Sequence, residues 1–499
     1  MSPDPSPQDI STLLNQAVAC LERNDLAKSI RLTQALLKID PRHGTATHLL
    51  GVLSQRLGDL PRATRLLQHA IRLGVDSPSV LSDLGRTLID QERWDEASRC
   101  LQHAMERFPD SPAAFIDLGY LKNACGQYQE ALEIYQRAIT SFPSNLELWT
   151  NLATLQRERG DLDAAIASYL EVEAQFGGSP SLCEARGRAY LQQQSWSQGW
   201  KDYEARLAIE SPTMVRFSPG IPLWDGQSLD GKSILVLCEQ GIGDEVQFAS
   251  CLRDLLPRCR HCTVTCSPRL EPIFARSFPQ AKFISLSAEQ RVSPFIAPPE
   301  QFDFQLAIGS LPRFFRNHDQ DFLQAPYLYA SPQRSQQFRG SGTELRVGIS
   351  WWGGSLISQM KQRSVPFELF RTLLAVPNIR FVNLQHGRCD DAAVANHLQE
   401  FNNLTTYTQV NPYLDLDAWF DLIASLDLII TVDNSNAHFA GALGVETWLL
   451  LAEKPNWRWP YRLKKSQWYA DMTFFRQTTL HGWREPIGEM VRRLSLRAR

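Results

Sequence analysis

One spacing constrains this chain more than any other feature: small residues recur every 34 positions through its N-terminal part. Gly51, Gly85 and Gly119 lie on the period, and Ala153 and Gly187 continue it. Ala63, Ala97, Ala131 and Ala165 hold a second register, Ala70, Ala104 and Ala138 a third, and Pro109 and Pro143 a fourth. One period back falls on Ala17, with Pro41 closing that unit. Small residues are needed where two antiparallel helices cross, because a larger side chain would push the backbones apart. Gly58-Asp59-Leu60 and Gly160-Asp161-Leu162 break and restart the helix, Gly126 marks the same turn, and proline ends the second helix. One helix pair cannot bury its apolar face alone, so neighbours must stack into a continuous core.

The period, the small-residue positions and the closing proline resemble the tetratricopeptide repeat over about residues 10 to 205, with four good units and weaker ones at each end. The resemblance implies a superhelix that binds a protein or peptide partner. Two residues before the register glycine or alanine stand Asn15, Asp83, Asp117 and Asn151, with Leu49 and Ala185 interrupting the series. In that family the position faces the concave groove, and in O-GlcNAc transferase a ladder of asparagines there holds the peptide backbone. The resemblance thus implies these four as acceptor contacts; by residue type alone they are also ordinary solvated helix positions.

At 499 residues the chain is too long for one core. From about Gly231 the helical period gives way to short apolar runs between glycine-rich turns. Strands are expected at Ser233 to Cys238, Ala281 to Leu286, Phe304 to Ile308, Leu345 to Trp351, Arg380 to Leu384 and Asp427 to Val432. Strands alternating with helical segments imply parallel sheets. The polar stretch Ala330 to Glu344 reads as a linker between two lobes. The expected fold is therefore α plus α/β: a repeat superhelix over 1–205, a Rossmann-like lobe over 206–340 and a second over 341–499.

Several classes are set aside by composition. A net charge of -3 without a basic block argues against a nucleic-acid partner. No apolar run approaches the roughly 20 residues that cross a bilayer, and MSPDPSPQDI lacks the regions of a signal peptide, so a cytoplasmic protein without a transmembrane segment is expected. Cys20, Cys100 and Cys238 lie inside apolar patterns, as reduced buried thiols do. Cys259, Cys262 and Cys266, beside His261, lack the second ligand pair of a zinc site, and Cys262, Val264 and Cys266 alternate as one strand face would. No metal site is expected.

Three segments carry candidate chemistry. In Glu239-Gln240-Gly241-Ile242-Gly243-Asp244-Glu245, Gly241 and Gly243 permit a tight turn against a ligand, and a helix is expected from Asp244 to about Leu256. Asp244 is either a general base for a hydroxyl or a helix cap. In Asp427 to Gly444 a buried strand runs into Asp433-Asn434-Ser435-Asn436 and a small-residue helix, whose first amides form a diphosphate site. Asp433 suits a sugar or ribose hydroxyl; His438 either faces the cleft or is a satisfied core histidine. In the third, Ser350-Trp351-Trp352-Gly353-Gly354 ends a strand, followed by Lys361, Arg363 and Ser364. Those cations either neutralise a leaving diphosphate or belong to a solvated loop. Asp415 and Asp417 precede a helix and read as structural.

Taken in order, EQGIGDEVQFA, VGISWWGG, KQRSVP, VDNSNAHFAGALG and NWRWPYR…SQWYADMTFFRQ resemble bacterial heptosyltransferase-related glycosyltransferases, across about Trp224 to Gln477. The resemblance implies a GT-B pair of lobes and an inverting transfer from a nucleotide sugar with neither metal nor cofactor. It implies Asp244 as base and a donor site of Gly241, Gly243, Ser350, Trp351, Lys361, Arg363, Gln385, Asp433, Asn434, Ser435, Asn436, His438 and Trp457, with Trp459 bordering the pocket. Asn434 stands where threonine is usual and Asn456 replaces a common aspartate. Relatives with repeats include flagellin glycosyltransferases, which makes a protein acceptor the expectation. The alternatives are a transferase acting on a lipid-linked or polysaccharide glycan, and a non-catalytic scaffold.

Overall fold

The computed structural model describes residues 7–210, 215–287, 290, 298, 301–353, 363–386, 400–454, 456–460, 463–480 and 482–498. The chain packs as two compact units, Met1–Gly177 and Gly178–Arg499.

The first unit is a run of helix pairs: α1 (Pro7–Glu22), α2 (Leu26–Ile39), α3 (Gly44–Arg56), α4 (Leu60–Arg72), α5 (Pro78–Asp90), α6 (Trp94–Arg107), α7 (Ala113–Ala124), α8 (Tyr128–Ser141), α9 (Leu146–Glu158) and α10 (Leu162–Phe176). The register residues do what their size requires. Ala17, Ala63, Ala97, Ala131 and Ala165 are fully buried. At Gly119 a β-carbon would fall 2.4 Å from the buried Tyr135 ring, so only glycine lets α7 and α8 approach this closely. Polar side chains link the first helices of successive pairs: His48 Nε2 lies 2.7 Å from Asp83, Gln55 donates to Asp90 at 3.4 Å, and Asn123 donates to Glu158 at 3.1 Å.

The second unit opens with α11 (Pro180–Gln192) and α12 (Trp196–Tyr203), which still carry the repeat register at Gly187. Their allegiance is nevertheless to the α/β region. Trp196, Trp200 and Tyr203 belong to one apolar cluster with the strands that follow. Trp200 Nε1 donates to the Arg316 carbonyl and Trp196 Nε1 to Asp319, both at 2.7 Å. The sequence reading closed the repeat segment at 205; packing divides the chain at Gly177, because these aromatic side chains bury against the later fold.

Two parallel sheets follow. The first, in spatial order β3-β2-β1-β4, comprises β1 (Ser233–Leu237), β2 (His261–Cys266), β3 (Ala281–Ser285) and β4 (Phe304–Ala307). The second, in order β10-β9-β8-β5-β6-β7, comprises β5 (Leu345–Ile349), β6 (Ile379–Asn383), β7 (Leu404–Thr405), β8 (Leu428–Val432), β9 (Thr447–Leu451) and β10 (Met472–Arg476). In each sheet the chain works outward on one side of its first strand and then returns to the other. The strand order therefore reverses between β1 and β4, and between β5 and β8. Such points open a crevice at the carboxyl ends of the strands, where ligands bind in open α/β sheets.

Two local expectations are corrected and one is extended. Residues expected as a linker form the helix Pro332–Arg339, held by ion pairs of Arg334 with Asp417 and Asp421 and of Arg339 with Asp427 at 2.7 Å. Its apolar content is too low to mark it as a helix; charge on a neighbouring element orders it. The helix expected from Asp244 begins earlier, as α13 (Ile242–Ala249), with Gly241 as N-cap and Asp244 in its first turn. Cys262, Val264 and Cys266 do lie in a strand, β2, which beyond His261 is buried on the other face as well, because a parallel sheet is covered on both sides.

Candidate functional site

Asp244 reaches its position through a strained turn. β1 ends at Leu237, and Gln240 then takes φ 64°, a conformation costly for a residue with a β-carbon. Two anchors hold the turn. Tyr203 Oη lies 3.0 Å from Gln240 Nε2, and Glu239, buried, accepts from Arg206 Nη2 at 2.5 Å and from the Gly309 amide at 3.2 Å. Arg206 also donates to Ser310 Oγ at 3.0 Å and to Glu204 at 2.8 Å, and stacks over the Tyr203 ring at 4.6 Å. The loop after β1 is thus clamped at the first sheet's reversal point by Tyr203 at the end of α12 and Arg206 just beyond it.

The second sheet's reversal point supplies the facing wall. Ser350, at the end of β5, is buried and gathers Thr431 Oγ1 at 2.6 Å, Asn434 Nδ2 at 3.2 Å and Asn436 Nδ2 at 3.3 Å. Asp433 follows β8 and accepts from Trp459 Nε1 at 2.8 Å, and its other oxygen lies 3.3 Å from Arg363. The helix Ser435–Leu443 then begins. Its first turn is less open than the sequence implies: Asn434 Oδ1 folds back to accept the Asn436 amide at 3.0 Å, as asparagine at an N-cap does. Asn436 is itself spanned between Trp419 Nε1 and the Leu384 carbonyl, both at 3.0 Å.

These two walls line one cleft of about 700 Å³, a volume suited to a nucleotide-sized ligand. Gly241, Gly243 and Asp244 line it from one side, and Asp433, Asn434, Ser435, Asn436 and His438 from the other, with Arg363 and Gln385. The contact between walls is close: a β-carbon on Gly243 would lie 3.0 Å from the His438 ring. Gln385 Oε1 accepts the Trp351 and Trp352 amides at 3.0 and 2.8 Å and so fixes the loop after β5.

Three expected donor residues lie elsewhere. Trp351 is buried with its ring against Phe367 and Phe370; its neighbour Trp352, 39% exposed, lines the cleft instead. Adjacent residues at the end of a strand point opposite ways, and the apolar side took the first indole. Ser350 braces the turn from beneath. Trp457 packs on Trp200 and Tyr203 at ring separations of 5.8 and 5.3 Å, away from the cleft lining. Lys361 lies outside the described residues.

Within the 457–459 segment expected to border the pocket, Arg458, given no role of its own by the sequence, pairs with Asp244 across the cleft. The signal was present, since an arginine between two tryptophans is a cation held by apolar walls. Tyr413, 60% exposed, and Arg269 add an aromatic and basic rim, the guanidinium lying 5.8 Å from the ring centre. Asp415 caps the helix Leu416–Ala424 through the Ala418 amide at 2.9 Å, and Asp417 pairs with Arg276 at 2.5 Å, so both are structural.

His438 is buried, with Nδ1 2.9 Å from Tyr469 Oη and its ring stacked on Trp459 at 5.2 Å. Burial, aided by the nearby Arg458 cation, pushes its pKa down to about 4. Unfolded histidine titrates near 6.5, so between these values the unfolded chain binds more protons and stability falls as pH drops. The second unit should lose roughly 2 kcal/mol from this residue between pH 7 and 5. Urea midpoints at the two pH values check this, and His438→Gln should reduce the difference by that share, leaving the part due to His386, whose pKa burial also lowers to about 4.

In the first unit the four groove candidates differ. Asn15 is exposed, Asn151 and Asp83 are half-buried, and Asp117 is buried and paired with Arg86. Burial, only partly offset by Arg86, raises the Asp117 pKa. Residues 76–144 and 117–180 match the tetratricopeptide repeat family. The first unit carries tetratricopeptide repeats. Protein FlbA of Caulobacter vibrioides is 31% identical over 209 residues, a match spanning 39% of this chain and 35% of that protein. The chain thus covers about a third of that curated relative's length. A repeat protein from Parabacteroides merdae matches 41% of this chain and 80% of its own at 18% identity and TM-score 0.37. Pseudomonas aeruginosa PilF matches 39% and 88% at 17% identity and TM-score 0.33. Among the described residues no helix is long and apolar enough to cross a membrane, and no three His, Cys, Asp or Glu side chains gather as metal ligands would.

Proposed function

We propose that this chain is a glycosyltransferase that moves a sugar from a nucleotide-sugar donor to a hydroxyl of a protein held by the repeats. One observation carries the reading: Asp244, after the first sheet's reversal point, and the Asp433–His438 turn, after the second's, line the same cleft. Two parallel-sheet lobes facing across such a cleft resemble the GT-B arrangement. In the proposed step the acceptor oxygen attacks the anomeric carbon while the bond from that carbon to the donor phosphate oxygen breaks. The hydroxyl proton passes to Asp244, and the nucleoside diphosphate leaves with the electron pair. Attack opposite the leaving group inverts the centre. Arg363 and Arg458 line the cleft and supply positive charge for the diphosphate. With the Asn436 amide already accepted by Asn434 Oδ1, that role falls chiefly to the guanidinium groups.

Incubating the full chain with cell lysate and labelled ADP-, GDP-, UDP-, dTDP- and CMP-sugars tests the reading. Label entering protein supports it, and label entering lipid or glycan moves the acceptor to that class. No incorporation from any donor leaves the repeats as an interaction scaffold beside an inactive fold, which the engagement of both Asp244 oxygens would then explain. The acceptor role of the repeats is tested by removing 1–177 rather than 1–205, since α11 and α12 belong to the second unit's core.

A further inference from the structure

Both oxygens of Asp244, the proposed base, are already engaged. Its Oδ2 accepts the Gly241 amide at 3.1 Å, and its Oδ1 is held by Arg458 Nη2. Arg458 is 214 residues away in sequence and its side chain is 10% exposed. Its own tethers are slight: Nη1 donates to Asn456 at 3.0 Å, the guanidinium lies over the Trp457 ring at 4.5 Å, and Nε has no hydrogen-bond partner. A buried N–H without an acceptor is costly, and an arriving anion of suitable shape relieves that cost. The planar fork of arginine matches phosphate oxygens as well as a carboxylate, and a diphosphate carries more charge than one aspartate.

Resting on the transferase reading above, we infer that Arg458 serves two anions in turn. It holds the Asp244 carboxylate, and it leaves that carboxylate for a phosphate of the nucleotide donor, so that the base is released only once the donor is seated. Donor binding therefore precedes productive acceptor binding, and Asp244 competes with the donor for one guanidinium.

Competition of this kind has an unusual signature, because neutralising the proposed base tightens the ligand. The affinity of the full chain for ADP, GDP, UDP and dTDP is measured by calorimetry, and the tightest binder is carried into variants. Asp244→Asn, which keeps an acceptor for the Gly241 amide, should tighten binding on the order of tenfold. Arg458→Gln should weaken it by a similar factor. In the Arg458→Gln background, Asp244→Asn should change little. A gain in affinity cannot come from misfolding, and circular dichroism confirms that Arg458→Gln is folded. Unchanged or weaker binding by Asp244→Asn overturns the exchange while leaving the transferase reading standing. Equal tightening in both backgrounds also overturns it, since the cause would be removal of charge rather than release of Arg458. Failure of every diphosphate to bind the wild-type chain overturns this inference, and failure of CMP as well removes the transferase reading with it.

Discussion

Asp244→Ala should lower sugar transfer by about 10²–10⁴-fold at saturating donor, the range expected when a positioned general base is removed. Nucleoside diphosphate binding should survive, since the Arg363 and Arg458 groups that line the cleft remain. The alanine variant also loses the contact to the Gly241 amide, so a slowed reaction alone would not separate base from cap. Asp244→Asn does: it keeps the cap acceptor and cannot take the proton. Equal losses in both variants, measured as initial rates with labelled donor, assign the effect to the base. A loss in the alanine variant alone assigns it to the start of α13, and full turnover in both removes Asp244 from the chemistry.

The largest effect on stability is expected at Arg206. Its side chain is 2% exposed and faces Glu239, whose carboxylate is 0% exposed. Burial works to lower the Arg206 pKa, and the facing carboxylates of Glu239 and Glu204 more than offset it, so the value is raised and the pair is ionic. Arg206→Leu strands the Glu239 charge in the interior and should cost about 3–5 kcal/mol, as breaking one side of a buried pair does. Arg206→Leu combined with Glu239→Leu should recover much of that loss, because no buried charge is then left alone. Urea unfolding followed by tryptophan fluorescence reports chiefly on the second unit, which holds all but Trp94 and Trp149 of the 13 tryptophans. Equal destabilisation of the single and double variants would show that packing around the guanidinium, not its charge, matters. Because Glu239 precedes the Gln240 turn, the single variant should also weaken nucleotide binding.

Much of this was legible before any tertiary contact was known, and the reasons are local. The 34-residue register fixed the helix pairs because glycine and alanine are demanded wherever two backbones cross, a requirement that acts within one unit and repeats in the next. β1, β3, β4, β5, β6 and β8 were legible because short, largely apolar runs bounded by turns read as strands. The expected strands stop short of β9 and β10, and Pro332–Arg339 reads as a linker because its order comes from Asp417, Asp421 and Asp427 rather than from an apolar face of its own. Strand pattern could say that a tryptophan ends β5; it could not say whether Trp351 or Trp352 meets the cleft.

By itself, then, the sequence determined the repeat architecture, the alternation of strands and helices, and which loops end at glycine, aspartate or asparagine. All of these depend on residues a few positions apart, where sterics and hydrogen bonding act on neighbouring backbone. The tertiary structure alone decided that α11 and α12 bury in the second unit's core and that Arg458 grips Asp244 from 214 positions away. Those outcomes depend on how two sheets approach each other and on which charges are desolvated together. Such energies belong to pairs of distant residues, and no window of sequence contains both partners.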